Sequence, residues 1–153
     1  MQNLQTEKTL YDQDFFLWTE DVVSKLKKQD FEHLDLENLI EEIESLGKSQ
    51  QKEIKSRLRV LLSHLLKRMY VDIPDCFDGW ENSIKTQRSD IEDELQDMPS
   101  LKRFWNDFFT WAWRKALFDV RLEYEKKGFH FPDEWPFGHD VDTLLTTDFW
   151  KLL

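Results

Sequence analysis

Arg57, His64 and Arg68 are the side chains of this sequence whose types and spacing could do chemistry together. At 100° per helical residue they fall within about 40° of one another. Two arginines beside an imidazole lower its pKa and leave it neutral. Such a strip could grip a phosphate or carboxylate through bidentate guanidinium contacts, with His64 as donor or base. The structural alternative is that Asp30, Glu32 or Asp35, in the preceding linker, folds over the strip and neutralises it. Arg88 is a fourth candidate. It lies between Ile84 and Ile91, about 40° from the centre of an apolar helix face. A guanidinium there needs a partner, because an unpaired buried charge costs several kcal/mol. That partner is either a carboxylate, above all a glutamate of the second helix, or a ligand anion.

Glu37, Glu41 and Glu44 form a second constellation along one helix edge. Like charges at this spacing repel, so a counter-charge is expected. One reading is a divalent metal held by hard oxygen ligands, but the Glu-x-x-His pattern of di-iron bundles is absent. The reading preferred here is a charge ladder. If helices 36–46 and 50–71 form an antiparallel hairpin, Glu44 meets Lys52, Glu41 meets Lys55 and Glu37 meets Arg59, with Lys48 on the same edge. Each such surface pair contributes about 0.2–1 kcal/mol. His130, His139 and Asp140 lack the further spaced ligands of a metal centre. Cys76 has no histidine at a recognisable nucleophile elbow. No glycine-rich phosphate loop is present. These motifs imply no metal and no cofactor.

The elements that must carry these residues read as helices throughout. Phe15, Trp18, Val22 and Leu26 set a first helix at about 12–28. A second spans about 36–46, capped by Asp35 and stopped by Gly47; a third spans about 50–71, capped by Ser49. Pro74 and Gly79 mark a turn before a fourth helix at about 80–97. Pro99 opens a fifth that runs to Lys127 and stops at Gly128. The fifth is apolar almost all round from Phe104 to Phe118, which places it centrally. An aromatic Pro/Gly loop, 128–139, leads to a short terminal helix from Asp140. The expected fold is an all-α, single-domain bundle over residues 1–153, with its core at about 11–150, five main helices and a short C-terminal one.

Composition bounds the function classes. The chain has 153 residues, a single cysteine and a formal net charge of −10. One cysteine excludes an internal disulfide framework and a cysteine zinc cage. No basic stretch followed by an apolar one opens the chain, and no run approaches 18 apolar residues, so a cytoplasmic protein outside the membrane is expected. Charge is segregated. Residues 1–47 carry 12 acids and 4 bases, 48–71 carry 1 and 7, 72–98 carry 9 and 2, and 99–153 carry 9 and 8. An acidic whole argues against nucleic acid as a partner. One basic helix between two acidic segments reads as internal pairing. Seven Trp and twelve Phe read as core before they read as a base-stacking platform.

Several stretches carry a family resemblance: YDQDFFLWTED, LDLENLIEEIESLGKS, RLRVLLSHLLKRMY, the Trp80-to-Arg88 run and the PSL that opens the fifth helix. Together they resemble the bacterial family catalogued as domain of unknown function 29, from about Tyr11 to Trp150. Trp135-Pro136 departs from a Cys-Pro of that family, so a role resting on that cysteine is lost here. The resemblance implies a helical fold and no established activity. Two functions stay open. One is a non-enzymatic interaction or regulatory module that self-associates or holds a protein partner. The other is a small hydrolase or transferase acting on a phosphorylated or anionic substrate through Arg57, His64, Arg68 and Arg88. The acidic surface and the lack of a catalytic constellation favour the module.

Overall fold

A 35-residue helix dominates the chain. The structure, a computed structural model, describes residues 9–153; the reading of the first residues as free of a leader lies outside that range. The described residues form six α-helices, in order α1 (Leu10–Gln13), α2 (Phe15–Lys27), α3 (Leu36–Tyr70), α4 (Phe77–Asp97), α5 (Trp105–Tyr124) and α6 (Val141–Thr146). Short 3-10 turns cover Pro74–Cys76, Pro99–Phe104, Glu125–Lys127 and Phe149–Lys151. No strand occurs among the described residues, and the all-α class holds.

The expected hairpin at 47–49 does not form. Helices 36–46 and 50–71 are one continuous α3. Stopping a helix leaves up to four carbonyls and four N–H groups without intrahelical partners on either side of the break. Continuing costs only the weak propensity of Gly47. Gly47 does not adopt the left-handed conformation that ends helices, whereas Gly128 does, at φ 90°. Asp35 caps α3 as expected: its carboxylate accepts from the Asn38 backbone N–H.

The chain divides into two compact units, residues 1–49 and 50–153. In the first, α2 and the start of α3 run antiparallel. Tyr11 donates to Glu42, and Trp18 Nε1 donates to Asp35 at 3.0 Å. Tyr11, Phe15 and Trp18 pack ring on ring at 5.0–5.7 Å between centroids. The Glu42 bond, its largest cause, pushes the Tyr11 hydroxyl pKa up to about 12. Among the described apolar side chains of this unit only Trp18 and Val22 are buried.

The second unit holds the main core. Ile54, Leu58, Leu61, Leu62 and Leu65 are completely buried, clustered with Ile84, Ile91 and Leu95 of α4 and with Trp105, Phe108, Ala112 and Ala116 of α5. The expectation of an α5 apolar almost all round is not met: Trp105, Phe108, Phe109, Ala112 and Ala116 are buried, whereas Asn106, Thr110, Arg114 and Phe118 keep one face in water. The 128–139 loop is fastened by aromatic contacts: Trp135 meets Phe109, Trp113, Phe137 and Phe149 edge-on.

Gly47 tests the continuity of α3. A Cβ added there meets open space. Gly47→Ala should therefore raise the urea-unfolding free energy by about 0.5–1 kcal/mol. A left-handed stop at 47 would give the opposite sign.

Candidate functional site

The four candidate residues, Arg57, His64, Arg68 and Arg88, have separate partners. Arg57 sits inside an acidic clasp: Nε donates to Glu94 at 2.8 Å, Nη1 to Asp90 at 3.0 Å and Nη2 to Glu53 at 3.1 Å. Its pKa is raised, the Glu94 bond foremost. Burial pushes the Glu94 carboxyl upward despite the arginine, and its second oxygen is buried without a hydrogen-bond partner. The linker acids are engaged elsewhere, Asp30 with His33 and Asp35 with Trp18 and Asn38.

His64 lies half-buried and donates Nδ1–H to the Val60 carbonyl one turn back, at 2.8 Å. Burial, helped by Lys67 and opposed by that bond and Glu123, lowers its pKa. Arg68 stacks its guanidinium 3.8 Å from the Phe77 ring centre and lies 5.4 Å from that of Trp150. Its Nε is buried without a hydrogen-bond partner, with Glu81 at 3.8 Å.

Arg88 points inward, yet no carboxylate of the second predicted helix meets it. Nε donates to the Leu144 carbonyl at 3.0 Å and Nη2 to that of Thr147. Asp148 stands at 3.8 Å. These carbonyls belong to the last turn of α6 and to its C-cap Thr147, where the helix leaves acceptors without intrahelical partners and its dipole favours a cation. The planar fork of arginine reaches the two carbonyls with two separate nitrogens in fixed geometry, whereas a lysine offers a single one. Sequence reasoning found the inward arginine but not its partner, since a backbone carbonyl 56 residues away leaves no mark in side-chain pattern. Burial lowers the Arg88 pKa, opposed by Asp148.

A cleft of about 420 Å³ opens beside Arg88, walled by Glu81, Lys85, Ser89, Glu92, Asp148 and Trp150. Arg57, His64 and Arg68 are not among its lining residues.

The Glu37–Glu41–Glu44 ladder with Lys52, Lys55 and Arg59 is not formed, because both rows lie along the same helix. Arg59 grips Asp119 of α5 bidentately at 2.7 and 2.8 Å. The Lys55 ammonium sits 5.0 Å from the centre of the Trp111 ring. Pairing of the basic 48–71 stretch does occur within the chain, toward α4 and α5. The acidic count of 72–98 signalled the α4 part. Among the described residues no three His, Cys, Asp or Glu side chains are grouped to hold a metal ion.

A family model described as Domain of unknown function DUF29 matches residues 10–150. This chain belongs to that family. No curated protein and no solved structure matches it. Within this DUF29 chain the match runs from the start of α1 to the last 3-10 turn, so α2, α3 and the Arg88–α6 clamp all lie inside the family region.

Two measurements test these assignments. Arg88→Met strands two acceptors and should destabilise by about 2–3 kcal/mol, to the same extent with and without added phosphate; Arg88→Lys should recover only part. For His64 the folded pKa is depressed, so the folded state binds fewer protons than the unfolded one between the folded value and about 6.5. Stability from this group is present above that window and lost as pH falls through it. Urea melts at pH 7 and pH 5.5 should show a smaller difference in His64→Gln than in the parent.

Proposed function

We propose that this chain is a non-enzymatic interaction module acting in the cytoplasm. The observation that carries the reading is the exposure of large apolar side chains on residues 15–46, where α2 and the first half of α3 bury only Trp18 and Val22. Contiguous apolar surface of this kind on a folded protein marks a place where another molecule sits. The cationic groups that could have served an anionic substrate support the same reading. Arg57 is held by three carboxylates and Arg88 by two backbone carbonyls.

A second reading is a small hydrolase or transferase for a phosphorylated or anionic substrate. Its support is the cleft beside Arg88, which also carries Lys85 and Ser89, and the buried Arg68 Nε without a hydrogen-bond partner.

Thermal melts and dye binding separate the two. The module reading expects phosphate, pyrophosphate and nucleoside monophosphates to leave the Tm within about 1 °C. It also expects an anilinonaphthalene dye to bind the native protein and to lose most of its fluorescence in Ile40→Asp/Ile43→Asp. An anion-induced rise in Tm that disappears in Lys85→Met would transfer the assignment to the enzyme reading.

A further inference from the structure

The apolar stripe of α3 does not end where its core ends. Leu36, Ile40 and Ile43 stand eighteen residues before Ile54, Leu58 and Leu61. The later triplet is 0% exposed; Leu36, Ile40 and Ile43 are 56%, 48% and 60% exposed. In the first unit Tyr11 of α1 and Trp18 of α2 meet a different edge of α3, through Glu42 and its cap Asp35.

Helix geometry decides where the apolar side chains of α2 point. On α3 the stripe follows the α2-facing edge by about a third of a turn. On α2, Phe16, Val23 and Leu26 follow the α3-facing Trp18 and Val22 by about a third of a turn. Because the two helices run antiparallel, equal rotations in the chain sense bring both rows to the same side. The pair is therefore a two-helix layer with one apolar face. With its flanking Phe15 and Leu46 this face exposes on the order of 800 Å² of side chain, the area one partner contributes to a standard interface. Two antiparallel helices leave a groove that suits a third helix.

Charge identifies the occupant. Residues 9–47 carry 11 acidic and 3 basic side chains. Glu37, Glu41 and Glu44 follow the apolar stripe along its outer edge, and none of them has an ion-pair partner among the described residues. A second copy seated face to face brings the same acids. Of its α3 cations, Arg57, Arg59 and Lys67 already hold carboxylates and Lys55 holds Trp111. Lys48 and Lys52 carry no ion pair among the described residues, but two lysines do not offset the excess of acids that each copy brings. An anionic lipid surface is repelled by the same acids. We infer that the α2–α3 face docks a cationic amphipathic helix of another protein, its apolar side on Ile40 and Ile43 and its lysines or arginines along Glu37, Glu41 and Glu44. Gly47 lies on the same stripe with open space before it, which lets a docked backbone approach closely. This inference rests on the interaction-module reading and adds the chemistry of the partner.

The test uses the full chain and three fluorescein-labelled eighteen-residue amphipathic peptides, with leucine on one face and lysine, glutamine or glutamate on the other. Anisotropy titrations should show the lysine peptide binding at least tenfold tighter than the glutamine peptide, the glutamate peptide not binding, and affinity falling with salt. Ile40→Asp/Ile43→Asp should weaken the lysine peptide at least tenfold with an unchanged circular dichroism spectrum. Glu37→Gln/Glu41→Gln/Glu44→Gln should erase the preference for lysine over glutamine while retaining the glutamine peptide. Equal binding of the lysine and glutamine peptides overturns the charge selection and leaves the module reading standing. A dimer in sedimentation that Ile43→Asp dissolves gives the face to a second copy and overturns the inference. Binding of none of the peptides, with a monomer in sedimentation, overturns the inference and the module reading together.

Discussion

Burial of one stripe of α3 is the constraint on which the rest of the second unit depends. Ile54, Leu58, Leu61 and Leu65 recur at intervals of three and four residues and are completely excluded from water. At roughly 25 cal/mol per Å² of apolar surface, this is the main favourable term available to a helical protein. α4 answers with Ile84, Ile91 and Leu95, and α5 with Trp105, Phe108, Ala112 and Ala116. The two alanines keep the α5 backbone close to its neighbours. Once these helices are in contact, the polar residues on their borders are drawn into pairs. Arg57 reaches Asp90 and Glu94, and Arg59 reaches Asp119.

The same helix explains why the charge pattern along the chain is uneven. A basic segment over 48–71 is useful only if acids stand across from it after folding. α4 supplies Glu81, Asp90 and Glu94, and α5 supplies Asp119 and Glu123. The acids before residue 48 receive no such answer: Glu37, Glu41 and Glu44 continue along α3 beside exposed Leu36, Ile40 and Ile43. Packing and electrostatics thus change together near Gly47. After it the stripe is dry and Arg57, Arg59, Lys67 and Arg68 face carboxylates; before it both the apolar side chains and the acids Glu37, Glu41 and Glu44 remain open.

Arg88 shows how a buried charge can serve a fold without an ion pair at its centre. Its guanidinium closes the end of α6, giving two carbonyls the donors that the helix itself cannot provide. Asp148 supplies charge balance at 3.8 Å rather than a direct bidentate grip. The α6 segment has only six residues, too few to be stable alone. Its attachment therefore depends on Leu144, completely buried in the main core, and on the Arg88 clamp.

Of the stripe expected on α2 only Trp18 and Val22 are buried, but the helical class, the apolar face of α4, the cap at Asp35, the left-handed stop at Gly128 and the inward direction of Arg88 were determined by sequence alone. All of these follow from short-range periodicity and local backbone preference, which residues within a few positions of one another encode. It also indicated that the basic segment is paired within the chain, because a charge imbalance between segments survives without knowledge of contacts. Tertiary structure decided the rest. Gly47–Lys48–Ser49 carries the residues of a helix joint, yet the helix passes through, since nothing there receives the groups that a break would release. The charge ladder failed with that joint: a register that sums correctly on paper requires two helices, and here there is one. Which partner holds Arg88 and which acids hold Arg57 depended on residues some 30 to 60 positions away. Only the packed core brings those positions together, and no local preference of the chain records that proximity.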